Sequence, residues 1–227
     1  MTPTEALLAG RRSVRGFLPE AVPLQDLERI LRAARSAPSG ANLQPGRFHV
    51  LTGTPLADLG RALTRADRDG RPPVAEYSYF PQPMPAELKE RQRVAGFALY
   101  AALGIGRRDL AARKAQFSAN YSFFSAPVGI VVTIHPDMGK GCFMDLGMAL
   151  MALMVAAEAL GYATCGIGAL ANHADVAHDH LALGDDEMVV CGIALGRADP
   201  DAAINTVTTE RAPLASYASF TGFDPQT

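Results

Sequence analysis

The chain has 227 residues, a formal net charge of −2, and 48% hydrophobic against 19% charged residues, enough apolar material for one domain with a sizeable core. A near-neutral balance and a pI of about 6.2 exclude a nucleic-acid partner, because binding a phosphate backbone requires a basic surface. Three widely spaced cysteines with no CxxC pair exclude a zinc cage and a disulfide framework and point to a reducing, cytoplasmic setting.

The N-terminal residues contain no signal-peptide core. Thr4 and Glu5 open a short helix that ends near Gly10. Pro23 suits a helix start, and Leu24, Leu27, Ile30, Leu31 and Ala34 then share one face, with Glu28 and Arg32 paired at i, i+4. Pro38 stops that helix. Arg47–Gly53 reads as a strand, and a further helix follows Pro55. Residues 68–85, rich in Pro, Tyr and Arg, read as an irregular excursion before a helical region from Pro85 to about Arg113, broken near Gly104 and Gly106.

Ala126–His135 reads as a buried strand and Met144–Leu160 as a helix apolar on nearly every side, which belongs in a core or at a subunit interface. Its wholly apolar run, Leu146–Ala157, is too short to span a bilayer, so no membrane partner is expected. Tyr162–Cys165 and Glu187–Leu195 read as strands, and the chain turns polar and irregular from Arg197. Helices and strands without regular βαβ alternation indicate an α+β fold.

Four segments carry candidate chemistry. In an extended segment Arg11, Ser13 and Arg15 share a face, where they form either a phosphate clamp or a solvated basic loop. In Pro38–Pro45, Asn42 and Gln44 carry the paired donors and acceptors that a heteroaromatic ring edge requires. Extended, the two amides reach one ligand; the same residues also suit an ordinary turn. Cys165–Ala171 contains a GxGxxA pattern, but too little regular structure follows for a doubly wound dinucleotide fold. The better reading is a turn whose glycines let backbone N–H groups approach a ligand. The histidines at 173, 178 and 180 do not converge on a helix, so they read as a solvated turn and not as a metal site.

Taken in order, RRSVRGF, PSGANLQP, FSANYSFFSAPVGIVV, MDLGMALMALMVAAEALGYATC and DDEMVVCGIALGRADPDAAINTVTTERAPL resemble the FMN-dependent nitroreductase family, in particular its nitrobenzoate-reductase subgroup. The resemblance implies a three-layer α+β fold with a mostly antiparallel central sheet, and a single domain over 1–227. It also implies an intertwined homodimer, with residues 197–227 as an arm crossing to the partner.

By that resemblance Arg11, Ser13, Arg15 and Arg211 hold the FMN phosphate, with Arg12 adjacent, and Asn42 and Gln44 contact the ring. Ser39 comes from the other subunit, and Cys165, Gly166, Ile167 and Gly168 run beside the N5 edge. The implied activity is ping-pong hydride transfer from NAD(P)H to a small-molecule acceptor such as a nitroaromatic or quinone, with no catalytic side chain assigned. An oxygen-using enzyme of the same fold and a non-catalytic flavin-binding or storage protein remain alternatives.

The chain departs from the family at Gly46, where relatives often carry Trp, at Gly166-Ile167, and at Thr209, where a second basic residue is common. Glycine at 46 either opens the acceptor pocket or leaves a gap that Phe48, Tyr121 or Phe123 fills.

Overall fold

The computed structural model describes residues 1–223. Seven α-helices are found among them: α1 (Pro3–Gly10), α2 (Leu24–Arg35), α3 (Gly53–Arg68), α4 (Ala86–Ala102), α5 (Leu110–Ser118), α6 (Lys140–Ala159) and α7 (Ala174–Leu181). The strands are β1 (Arg47–Thr52), β2 (Val128–Ile134), β3 (Ala163–Ile167) and β4 (Met188–Gly196). They form one sheet in the order β1-β2-β4-β3, with every pairing antiparallel. A fully antiparallel sheet rules out the dinucleotide reading of the glycine pattern after β3.

The two central strands are buried along their whole length, which is why VGIVVTI and MVVCGIALG read as continuous apolar runs without alternation. One face of the sheet packs on Leu56, Leu59 and Leu63 of α3 and Ala174, Val176 and Ala177 of α7. The other packs on Leu27, Ile30 and Ala34 of α2 and Leu146, Leu153 and Ala157 of α6. The result is three layers, helix–sheet–helix.

Helix α6 starts four residues earlier than its apolar pattern predicts, at Lys140. It is long and apolar enough to cross a bilayer by length and composition alone, but one side packs on α2 and the sheet. Its other side is bare: Met144 is 70% exposed, and Met148 and Met151 are exposed as well. The helical region after Pro85 is two helices, α4 and α5, separated at Gly104, whose φ of 66° is a left-handed break.

In the direction a side chain would take, Gly46 is closed by Leu146 and not by any of the three aromatic candidates, although Gly46 also lines a cavity of about 240 Å3 with Gln44, Thr133 and Glu187. Gly46 has φ 91°, and a Cβ there would lie 2.5 Å from Leu146 Cδ1. Arg35 Nη2 also donates to its carbonyl at 2.8 Å. The position therefore demands glycine for backbone and packing reasons together. Gly46→Trp should lower stability by about 1–3 kcal/mol from overpacking, read by chemical denaturation. A variant as stable as the parent would contradict this packing.

Candidate functional site

Helix α1, opened by a capping box between Thr2 and Glu5, delivers the chain at Arg11 in an extended conformation. Beyond it the backbone lies along the outer edge of β3. Ser13 bridges Thr164 in parallel, Val14 N donates to Thr164 O at 3.1 Å, and Phe17 bridges Ala198. Val14 is buried at 2% exposure. Alternation then sends Arg11, Ser13 and Arg15 to the opposite side, as the sequence predicts.

The C-terminal segment arrives at the same place through Asn205. Its Oδ1 accepts from Arg15 N at 2.9 Å and Gly16 N at 3.1 Å, and its Nδ2 donates to the carbonyls of Gly16 and Asp199. Val207, Thr208, Thr209 and Arg211 then wall a cavity of about 430 Å3 together with Arg11, Arg12, Ser13, Arg15 and Glu158. Arg211 is held there by Thr209, whose Oγ1 accepts from its Nη1 at 2.6 Å.

Four arginines, Arg11, Arg12, Arg15 and Arg211, thus line one cavity with a single carboxylate, and none of the four is ion-paired among the described residues. Guanidiniums gathered beside a hydroxyl, unpaired and outnumbering a single carboxylate, make a site for a phosphate dianion. Asn205, Thr209 and Glu158 are the residues that sequence reading missed. Asn205 sits in an irregular stretch with no local signal, and only its burial marks it.

Cys165 lies beneath this cavity. Burial pushes its thiol up, against the opposing pull of Arg15, Ser13 and Arg11. Gly166 is exposed, and beyond Thr164 the described residues place no further backbone bridge on the outer edge of β3. A Cβ on Gly168 would lie 2.8 Å from the Tyr79 ring, so glycine is what lets the excursion pack there. The excursion itself is tied down by Tyr77 Oη donating to Val190 O at 2.7 Å and by Val74 N donating to Asn172 O.

The 38–45 loop departs from the extended reading. Residues 40–42 form a 3-10 turn, and Ala41, Asn42 and Gln44 have φ of 49°, 58° and 49°. Ser39 Oγ accepts from Gln44 N at 2.9 Å, and Asp145 accepts from Gly40 N at 3.0 Å. The loop is therefore anchored at the Asp145 end of α6, whereas the arginine cavity lies at the Glu158 end. Thirteen residues of helix separate the two anchors, roughly 20 Å at 1.5 Å per residue. Within one chain, Ser39, Asn42 and Gln44 stay together but are not brought to the arginines.

His173 is buried at 3% exposure with its ring against Tyr121, not solvated as the sequence suggests, and His178 pairs with Glu76. No group of three or more His, Cys, Asp or Glu with metal-holding geometry occurs among the described residues.

The Nitroreductase family profile matches residues 8–197. The chain is 35% identical over 220 residues to a 4-nitrobenzoate reductase of Pseudomonas putida, covering 97% of this chain and 96% of that one. It superposes on the FMN and NADPH-dependent nitroreductase NfnB of Sphigopyxis sp. strain HMH with a TM-score of 0.94 at 35% identity, covering 98% and 100% of the two chains. NfnB of Mycobacterium smegmatis, solved in complex with NADPH, superposes with a TM-score of 0.91 at 31% identity over 96% and 97%. The chain belongs to the nitroreductase family.

The three cysteines are free, and their surroundings order their reactivity. Burial pushes Cys191 up to about 12 and raises Cys165, while Cys142 is only half-buried. Native-state alkylation followed by mass spectrometry should label Cys142 first and the other two only on unfolding. Labelling of Cys165 as fast as Cys142 would contradict its burial.

Proposed function

We propose that the chain is an FMN-dependent reductase that takes hydride from NAD(P)H and passes it to nitroaromatics, quinones or related acceptors. The observation that carries this reading is the gathering of four arginines without ion-pair partners, and Ser13, around one cavity at the edge of β3. Arg11, Ser13, Arg15 and Arg211 would hold the FMN phosphate, with Arg12 beside them. Bound FMN would supply the hydride-accepting and hydride-donating centre. The Cys165–Gly168 segment would run along its ring, where backbone N–H groups favour negative charge. Donor and acceptor would use one pocket in turn, a ping-pong scheme, and no side chain is assigned as acid or base.

The site is read as shared between two chains. Asn42, Gln44 and Ser39 sit too far along α6 to meet their own chain's arginines. Two α6 helices crossing antiparallel about a two-fold axis would bring each loop to the partner's arginine cavity. The exposed Met144, Met148 and Met151 support such a contact, and so do Leu214, Tyr217, Phe220 and Phe223, all exposed along the C-terminal arm. In this reading residues 1–197 form the body and 197–227 the arm that crosses to the partner. Residues 224–227 of that arm lie outside the described residues. The three free cysteines suit the cytoplasm, where this reading places the enzyme.

Anaerobic stopped-flow spectroscopy tests the activity. Mixing with NADPH should bleach bound flavin within seconds, and 4-nitrobenzoate should restore the spectrum. Flavin that NADPH and NADH leave unchanged would favour a binding or storage protein. Restoration by oxygen but by no nitro or quinone compound would favour an oxygen-using enzyme.

Arg11→Ala or Arg211→Ala should weaken FMN by about 1–3 kcal/mol, as lost charge-assisted bonds do, and leave riboflavin binding nearly unchanged. Equal losses for both flavins would show that these arginines act through folding.

A further inference from the structure

Arg35 is the last residue of α2, and it directs its donors outside its own helix. A cation in the last turn ordinarily serves that helix's own free carbonyls. Arg35 instead reaches forward to three consecutive carbonyls of the following loop. Its Nη1 donates to Gln44 O and, at 3.5 Å, to Pro45 O, and its Nη2 donates to Gly46 O at 2.8 Å. The guanidinium also lies 5.9 Å from the Phe48 ring centre. No carboxylate pairs with it among the described residues.

The loop depends on that grip. Gln44 has φ of 49°, a left-handed conformation that a residue with a Cβ keeps only where its surroundings fix it. Pro45 beside it has no N–H to donate, and residues 40–44 are all exposed, so neither a backbone ladder nor burial within the chain fixes Gln44. What fixes it is one hydrogen bond on each side. Ser39 Oγ accepts from Gln44 N at 2.9 Å, and Arg35 donates to Gln44 O. Arg35, Ser39, Gln44 and Asp145 wall one small cavity. The Gln44 amide itself is barely engaged, its Nε2 making one long bond of 3.4 Å to Asn42 O.

We propose that Arg35 is a positioning residue for the flavin ring, its planar guanidinium holding the Gln44 backbone so that the Gln44 amide is set to meet the ring edge. The proposal rests on the reductase reading and the shared site within it. An amide on an exposed loop gains affinity only if its backbone is fixed beforehand, because ordering it on binding offsets the contact. The fork matters more than the charge. Nη1 and Nη2 hold Gln44 O and Gly46 O together, which a lysine ammonium on its flexible stem does not reproduce.

The test compares the parent with Arg35→Lys, Gln44→Ala and Arg35→Lys/Gln44→Ala, each titrated with FMN and with riboflavin. Arg35→Lys should weaken both flavins by the same factor, about tenfold, because the ring end is affected and the phosphate end is not. Arg211→Ala should by contrast spare riboflavin. The double variant should bind no more weakly than Gln44→Ala, since Arg35 acts through Gln44. Hydrogen exchange across residues 39–46, measured before flavin is added, should run about tenfold faster in Arg35→Lys than in the parent. Tm should move little, because the buried stripe of α2, Leu27, Ile30 and Ala34, does not include Arg35.

The proposal is overturned if Arg35→Lys binds both flavins as the parent does, which would show that charge alone suffices. Losses that multiply in the double variant would overturn it by placing the action of Arg35 elsewhere, and so would unchanged exchange across 39–46. A parent that binds neither flavin would remove the reductase reading and the flavin role of Arg35 with it, while the exchange rates would still decide whether Arg35 holds the loop.

Discussion

The pairing of residues 13 and 14 with Thr164 at the edge of β3 is the interaction on which the site depends. It fixes which way the side chains of 11–15 point. Burial of the Val14 side chain contributes about 1.5–3 kcal/mol to keeping that register, and each backbone bond adds about 1 kcal/mol. A slip of one residue would bury arginines and expose valine. Asn205 then ties the C-terminal segment to the same stretch, so that Arg211, 200 positions further along the sequence, lines one cavity with Arg11.

Gathering four guanidiniums around one carboxylate opposes folding, since like charges repel and each must stay hydrated. The fold tolerates this because the heads face an open cavity while the anchoring groups, Val14 and Asn205, carry the packing. An anion that fills the cavity relieves the repulsion and binds only the folded state, so occupancy and stability are linked. The same economy appears in α6. Its inner side closes a core against α2, whereas its methionine-rich outer side is left for a second copy in the reading given above.

Much of the architecture is legible in the sequence because burial leaves a periodic trace. Helix α2 shows its Leu27, Ile30 and Ala34 stripe, and β2 and β4 show unbroken apolar runs, as strands covered on both faces must. Arg11, Ser13 and Arg15 are legible for the same reason, since strand alternation alone puts them on one side.

What escaped has no local signature. Asn205 acts through backbone groups far away in the chain, and Thr209 through one arginine two residues on. The left-handed residues at 41, 42 and 44 turn a loop that composition leaves equally open to an extended course. Gly46 looks like a lost indole in sequence, but in the fold it is a positive-φ position pressed against Leu146. His173 looks like one of three solvated histidines and is instead packed on Tyr121. Each of these depends on a partner that periodicity cannot reveal.

In the reading proposed above, the arginine cavity and the edge of β3 hold FMN. The most direct measurement is to denature the purified protein, identify the released flavin and count it per chain. The released flavin should be FMN, and not riboflavin or FAD, at close to one per chain. A colourless protein whose melting temperature does not rise on adding FMN would contradict it.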